Sequence, residues 1–302
     1  MQRNDDLALF SVMETSQVAD SFTHVPLDAT VTARLLSLRC QEAQDQASPN
    51  QDYATLTCRQ DRSSLCFCVC DGVSSSYKGD YAAHYLATHL VTWLQDLPDL
   101  RQQPQRPPRL LPSLQAYLNQ LATSAQSELT TLALPENVPH LVREVLEELR
   151  LAYGSETVFF CGRLDYDLAV NVAQPVEYVG KKKVPTLGQA LFFWMGNVTA
   201  RLCTTADQCI VLGDDSDQHG RWSTVRGCRG ALRAWSRPLK ALQRLTIYTD
   251  GLGTLGPQLS TLDDTAWQEQ THSLLASPAN DDMTVLELRW QYPASLAQES
   301  PA

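Results

Sequence analysis

The apolar residues of this chain occur in short runs of strand length, and its helical patterns are gathered in the middle of the sequence. Strand-like runs fall at residues 31–39, 53–59, 65–70, 157–161, 190–195, 199–203, 209–212, 245–249 and 283–290. Apolar residues spaced by threes and fours predict helices at about residues 80–97, 114–132 and 138–153. Because strands and helices form separate blocks rather than alternating, the pattern predicts an α+β fold. No apolar run reaches the roughly 20 residues that a membrane-spanning helix needs.

Two pairs of strand-like runs are expected to be direct neighbours. Residues 53–59 and 65–70 flank a polar turn and predict a hairpin. Residues 190–195 and 199–203 flank Gly196-Asn197 and predict a second strand pair. Five prolines from Pro98 to Pro112 predict a loop there. The expected organisation is a leader with partial order at residues 1–30, one domain at residues 31–290 and a tail at residues 291–302.

The charge of the chain narrows the range of partners. It has 34 acidic and 24 basic residues, which give a net charge of -10. No nucleic-acid partner is expected, because phosphate backbones need a basic surface. The N-terminal residues include acids where a secretory signal has basic residues, so we expect a cytoplasmic protein with no membrane association.

The nine cysteines form no metal-binding or redox motif in the sequence, because no C-x-x-C pair occurs. Cys66, Cys68 and Cys70 alternate along one apolar run and therefore share one face of a strand. The favoured interpretation is that they are small buried apolar residues in a reducing compartment. A metal or redox role is the weaker alternative.

Acidic side chains recur at the edges of the predicted strands. Four aspartates have this placement: Asp52, Asp71, Asp250 and Asp281. For any one of them, ordinary turn chemistry is a sufficient explanation. Four carboxylates that converge would repel one another unless cations shared them, and Mg²⁺ and Mn²⁺ prefer such oxygen ligands. The pattern therefore favours a site for two hard divalent ions, which can activate a water and bind a phosphoryl group.

The order of the motifs resembles a known family. The motifs are Asn50-Gln51-Asp52, Val69-Cys70-Asp71-Gly72-Val73, Gly154-Ser155-Glu156-Thr157, Thr249-Asp250-Gly251-Leu252 and Asp281-Asp282-Met283-Thr284-Val285. Over residues 31–290 the chain is similar to the metal-dependent serine/threonine phosphatases of the protein phosphatase 2C type, in a divergent and bacterial-like form. The resemblance implies two antiparallel β-sheets packed as a sandwich flanked by helices, with a dinuclear metal centre at one end.

The resemblance also implies the roles of individual residues. The metal ligands would be Asp71, the carbonyl of Gly72, Asp250 and Asp281. Asp52 matches the aspartate that helps to hold the metal-bound waters, so Asp52 and Asp71 are the expected catalytic residues. The cofactors would be two Mn²⁺ or Mg²⁺ ions per chain.

Several positions depart from the family pattern. The family often has a basic residue that grips the substrate phosphate where this chain has Ala47. Val73 stands where many members have a histidine, and Ser74 and Ser75 follow in place of two glycines. Some members bind a third metal through acids at the positions of Asn197 and Thr254, both neutral here. These departures predict two ions rather than three, because ligand charge largely determines how tightly a hard cation binds.

The expected function is hydrolysis of phosphoserine and phosphothreonine on proteins by a water that bridges two divalent metals. The expected partner is a phosphorylated protein, paired with a serine/threonine kinase. The alternative is a catalytically weak phosphatase-like protein that acts as a regulator or scaffold. Hydrolysis of a small phosphorylated metabolite is a third and weaker hypothesis.

Overall fold

The computed structural model describes residues 10–27, 31–102, 107–134, 138–166, 188–204, 208–213, 220–238, 242–259, 261–263, 265–267, 269–270, 273 and 281–290. The predicted tail at residues 291–302 and the first nine residues of the predicted leader lie outside the described residues. No helix in the described part of the chain is long and apolar enough to cross a membrane.

The described residues form strands and helices in the following order. The elements are β1 (Phe10–Glu14), β2 (Ser21–Pro26), β3 (Val31–Leu38), α1 (Gln41–Asp45), β4 (Tyr53–Arg59), β5 (Ser64–Gly72), α2 (Gly79–Gln95), α3 (Pro107–Thr131), α4 (His140–Ala152), β6 (Glu156–Tyr166), β7 (Gly188–Met195), β8 (Thr199–Thr204), β9 (Cys209–Leu212), β10 (Arg221–Ser223), β11 (Gly227–Arg229), β12 (Arg233–Pro238), β13 (Leu242–Tyr248), a 3-10 turn (Asp250–Leu252), α5 (Leu255–Leu259) and β14 (Met283–Trp290).

The strands form two antiparallel sheets. In the first sheet the order is β1-β4-β5-β6-β10-β11, and β7 lies between β6 and β12. Strands β7 and β10 pair with the same edge of β6, and β10 takes the end nearest residue 156. The second sheet has the order β2-β3-β14-β13-β8-β9. Two strands from the predicted leader, β1 and β2, thus lie at one edge of each sheet.

Three apolar layers hold these elements together. The first layer lies between the sheets and includes Phe67, Phe192 and Ile247. The second packs α2 and α3 against the outer face of the first sheet and contains all three alternating cysteines, each fully buried. The third covers the second sheet around Trp267. The predicted α+β sandwich flanked by helices is therefore confirmed.

Two local predictions were wrong. Helix α3 begins at Pro107, inside the predicted loop, because prolines are tolerated in a first helical turn where no N–H partner is needed. Strands β7 and β8 both exist but do not pair, since β7 belongs to the first sheet and β8 to the second. The chain crosses between the sheets at Gly196, whose φ of 89° suits glycine.

Other cross-strand pairs are polar or covalent. Glu287 on β14 is fully buried, and its Oε2 accepts a hydrogen bond from Arg34 Nη1 at 2.9 Å. Its Oε1 forms an ion pair with Arg244 Nε at 3.1 Å. Burial raises the pKa of Glu287, although the charges of both arginines lower it in part. Cys203 and Cys209 lie opposite each other on β8 and β9 and form a disulfide.

Candidate active site

The four predicted aspartates lie at one end of the sandwich. In the first sheet, β4 pairs with β5 so that Tyr53 lies opposite Cys70, which brings the preceding Asp52 level with Asp71. In the second sheet, the last residue of β13 and the first residue of β14 lie at the same end of the strands. Asp250, which follows β13, and Asp281, which precedes β14, are therefore close to each other. The end of each sheet therefore contributes two carboxylates to one region.

The cluster extends from the interior to the surface. Asp52 is only 2% exposed, and Asp71 is half-buried. Asp250 and Asp281 are exposed. A ligand approaching from solvent would therefore meet Asp250 and Asp281 first and Asp52 last.

Burial and nearby negative charges raise the pKa of three acids of this cluster, Asp52, Asp71 and Asp281. Burial is the main cause that raises the pKa of Asp71 well above its usual range. The charges of Asp52, Asp250 and Asp281 and a hydrogen bond to the Asp250 side chain raise it further. Burial also raises the pKa of Asp281, together with the nearby charges of Asp250 and Asp282. The side chains are thus close enough to penalise one another's ionisation.

Asp52 is held by hydrogen bonds to Thr249, which follows β13, and to Asn50, two residues before it. The hydroxyl of Thr249 donates to Asp52 Oδ2 at 2.7 Å, and the same hydroxyl accepts from the Thr284 N–H at 2.9 Å. The Asp52 N–H donates to Asn50 Oδ1 at 2.7 Å. Burial raises the pKa of Asp52 despite the Thr249 bond, which lowers it, and the charge of Asp282 is the next contribution that raises it.

Asp282 is a positioning residue that sequence reasoning did not single out. It is 7% exposed, and its carboxylate accepts from the Cys40 N–H at 2.7 Å and from the Gln51 N–H at 2.6 Å. These bonds join the end of β3 and the segment before Asp52 to the start of β14. The sequence signal for this role was the pair Asp281-Asp282. Adjacent residues in an extended chain face opposite ways, so one of two consecutive acids points into the protein when the other points outward.

Gly72 is in a position that only glycine fits. A Cβ there would lie 2.6 Å from the Gln51 carbonyl oxygen and 2.6 Å from the carbonyl carbon of Gly79. The backbone beside it is held by Thr157, whose hydroxyl donates to the Asp71 carbonyl at 2.7 Å. The close approach of Gly79 places the start of α2 against the predicted centre.

Asn197 contacts the centre through its amide. Its Nδ2 donates to Asp250 Oδ2 at 2.6 Å. An acid at this position would instead face the Asp250 carboxylate and repel it. The neutral residue therefore stabilises Asp250 without a cation between the two side chains.

The chemistry of these donors fits hard divalent ions. Among the residues described, no group of three or more His, Cys, Asp or Glu side chains has the arrangement of a metal site. The available donors are carboxylate and carbonyl oxygens, the ligands that Mn²⁺ and Mg²⁺ prefer. Burial first and the neighbouring charges second raise the pKa values of Asp52, Asp71 and Asp281, and bound cations would offset both effects.

Comparison with known proteins identifies the fold. No family model matches the sequence, and no curated protein matches it by sequence. The crystal structure of the serine/threonine phosphatase Stp1 from Staphylococcus aureus is similar, with a TM-score of 0.53 and 13% identity over 89% of this chain and 99% of Stp1. RsbX, crystallised in complex with magnesium, is similar with a TM-score of 0.51 and 10% identity over 90% of this chain and 100% of RsbX. The protein phosphatase 2C-type fold implied by the motifs is therefore confirmed.

Proposed function

We propose that this chain is a metal-dependent phosphatase that hydrolyses phosphoserine and phosphothreonine on proteins. The observation that carries the proposal is the meeting of Asp52 and Asp71 from one sheet with Asp250 and Asp281 from the other. Because one fold supports many functions, the proposal rests on these side chains. The serine/threonine phosphatase Stp1, which shares the fold, supports it further.

The chain's own residues have distinct tasks in this proposal. Asp71, the carbonyl of Gly72, Asp250 and Asp281 would hold two Mn²⁺ or Mg²⁺ ions. Such ions, when bound, lower the pKa of a coordinated water and offset negative charge on phosphoryl oxygens. Asp52, held by the Thr249 hydroxyl at 2.7 Å, would accept a hydrogen bond from the attacking water and orient it.

The same site supports proposals for the number of metal ions and for the substrate. The Asn197 amide on Asp250 supports a count of two ions, because a neutral side chain adds no charge to hold a third. A phosphomonoester is the substrate class on which a carboxylate-rich metal centre of this kind would act. We propose a phosphoprotein as the physiological substrate, modified by a serine/threonine kinase in the cytoplasm.

Hydrolysis assays test the proposal. p-Nitrophenyl phosphate and a phosphoserine peptide are incubated with Mn²⁺, with Mg²⁺ and with chelator. We expect turnover of both substrates with metal and none with chelator, and no turnover by Asp52→Ala. Absence of turnover with either metal on either substrate would contradict the proposal.

A phosphatase-like regulator or scaffold is the second candidate. The Asn197–Asp250 bond favours it, since a ligand oxygen of Asp250 already accepts a hydrogen bond. Ala47, which offers no cation for the substrate phosphate, also favours it. A phosphopeptide that binds in the presence of Mn²⁺ but is not hydrolysed would support this second candidate.

A further inference from the structure

Two arginines lie beside the predicted centre on the sheet that carries Asp71. Strand β6 pairs with β5 so that Val158 lies opposite Asp71. The antiparallel pairing of β10 with β6 brings Arg221 level with Val158, and β11 adds Arg229 opposite Arg221. Since neighbouring strands are about 4.8 Å apart, the backbones of Asp71 and Arg221 are separated by about 10 Å.

The side chains of this row share the face that looks toward the second sheet. Val69 and Val158 belong to the core between the sheets, and Asp71 follows Val69 by two residues. Trp222 belongs to the layer on the opposite face, beneath the helices. Arg221, its neighbour, therefore faces the same side as Asp71.

A buried carboxylate holds both arginines. Arg221 Nη1 lies 3.2 Å from Glu156 Oε2, and Arg229 Nη1 lies 3.3 Å from Glu156 Oε1. The Glu156 side chain is 7% exposed, whereas that of Arg229 is 42% exposed. One carboxylate between two guanidinium groups leaves the group of three with a net positive charge. Glu156 thus fixes the arginines in place without cancelling their attraction for an anion.

The guanidinium chemistry matches a phosphoryl group. Each guanidinium carries five N–H donors in a planar fork, and this geometry suits bidentate contact with phosphate oxygens. A phosphomonoester entering the carboxylate cluster brings further negative charge, and a cationic side chain near the centre would add to the attraction that bound metal ions supply. Position 47 does not supply one, because it is alanine.

We propose that Arg221 and Arg229, positioned by Glu156, bind the phosphoryl group of the substrate. The proposal deepens the proposed phosphatase function and rests on it. The ligand class is a phosphate monoester dianion, and inorganic phosphate, the product of its hydrolysis, would bind in the same place. The arginine pair therefore takes the role that a basic residue at position 47 would otherwise have.

Kinetics of charge-removing variants test the proposal. Arg221→Gln and Arg229→Gln are compared with wild type in p-nitrophenyl phosphate hydrolysis with Mn²⁺ and in inhibition by inorganic phosphate. We expect KM and the phosphate inhibition constant to rise about tenfold in each variant, the effect of one lost charge-assisted hydrogen bond. The change in kcat should be smaller, and the Mn²⁺-induced rise in Tm should be unchanged because the metal ligands remain.

Arg226→Gln is the matched control. Arg226 lies in the turn of the same hairpin, but its guanidinium stacks over the Tyr153 ring at 5.4 Å. The Arg226→Gln substitution removes the same charge but leaves the contacts of Glu156 intact. KM and the phosphate inhibition constant should therefore stay at the wild-type values. Equal effects of Arg226→Gln and Arg221→Gln would show general electrostatics and overturn the proposal. Arg229→Gln, at the exposed member of the pair, decides the outcome if Arg221→Gln does not fold.

The outcomes separate this proposal from the function on which it rests. Active variants with unchanged KM and phosphate inhibition overturn the arginine site and leave the phosphatase function standing. If wild type hydrolyses neither substrate, calorimetric titration with inorganic phosphate in the presence of Mn²⁺ still measures phosphate binding at the arginine site. Binding by wild type that weakens in both variants supports the arginine site alone, and absence of phosphate binding by wild type overturns it.

Discussion

Replacing Asp71 with Asn should have opposite effects on stability with and without metal. Asp71 is half-buried among Asp52, Asp250 and Asp281, and burial followed by these charges raises its pKa. Without metal, Asn removes this repulsion. The gain is at least about 1 kcal/mol, the interaction of two unit charges about 4 Å apart at the dielectric constant of water, and this corresponds to about 2–4 °C in Tm for a domain of this size.

With metal, the wild type should be stabilised by the bound ions, and the variant should lack most of this stabilisation. An ion present at 100 times its dissociation constant stabilises the native state by about 2.7 kcal/mol per site, or about 5–10 °C. Asp71→Asn lacks the carboxylate predicted to hold the ions, so its Tm should rise little with Mn²⁺. Activity should fall by orders of magnitude, because the predicted centre that activates water is lost.

The pH dependence without metal follows from the direction of the pKa shift. The pKa of Asp71 is higher in the folded protein than in the unfolded chain, so its contribution to stability is lost as pH rises through the folded-state pKa. The advantage of Asp71→Asn should therefore grow as pH rises toward the folded-state pKa. It should shrink as pH falls toward the unfolded value of about 3.9.

Scanning calorimetry in chelator and in Mn²⁺ at several pH values measures these effects. Asp96→Asn is the matched control, since Asp96 is exposed at the end of α2, and it should respond to Mn²⁺ as wild type does. The reasoning would be refuted if Asp71→Asn melted below wild type in chelator, or if Mn²⁺ raised its Tm as much as that of wild type.

Three further predictions concern neighbouring contacts. Asn197→Asp should bring a third Mn²⁺ beside Asp250 in anomalous diffraction, whereas wild type should show two; a third peak in wild type would contradict the proposed count. Thr249→Val should destabilise the chain by about 1–3 kcal/mol in urea unfolding and lower kcat, because Asp52 and a buried N–H each lose a partner. Glu287→Gln should cost about 3–5 kcal/mol in the same assay by leaving two buried arginines under-compensated, and a loss below about 1 kcal/mol would contradict this account.

Much of the site was predictable from sequence because it depends on local pattern. In a buried strand, apolar residues either alternate with polar ones or form a continuous run up to the end of the strand. The residue that ends the strand can therefore be identified from the sequence alone. Asp71 after residues 65–70 and Asp250 after residues 245–249 are examples. Their order along the chain carried the family resemblance, which implied a sandwich with these acids at one end, and the structure brings them to the same end.

The partners of individual strands and side chains were not predictable in this way. Nothing local distinguishes a hairpin at Gly196 from a crossing between two sheets, because both need the same turn chemistry.

By itself, then, the sequence determined nine of the strand segments and which acids lie at their ends, because alternation and spacing are properties of neighbouring residues. Strands β1, β2, β10, β11 and β12 were not predicted. Only the tertiary structure decided that Asp282 ties three segments together and that Glu156 holds Arg221 and Arg229 beside Asp71. Glu156 lies 65 and 73 residues from these arginines. Contacts over such separations depend on how the sheets pair and pack, and no local pattern in the chain encodes them.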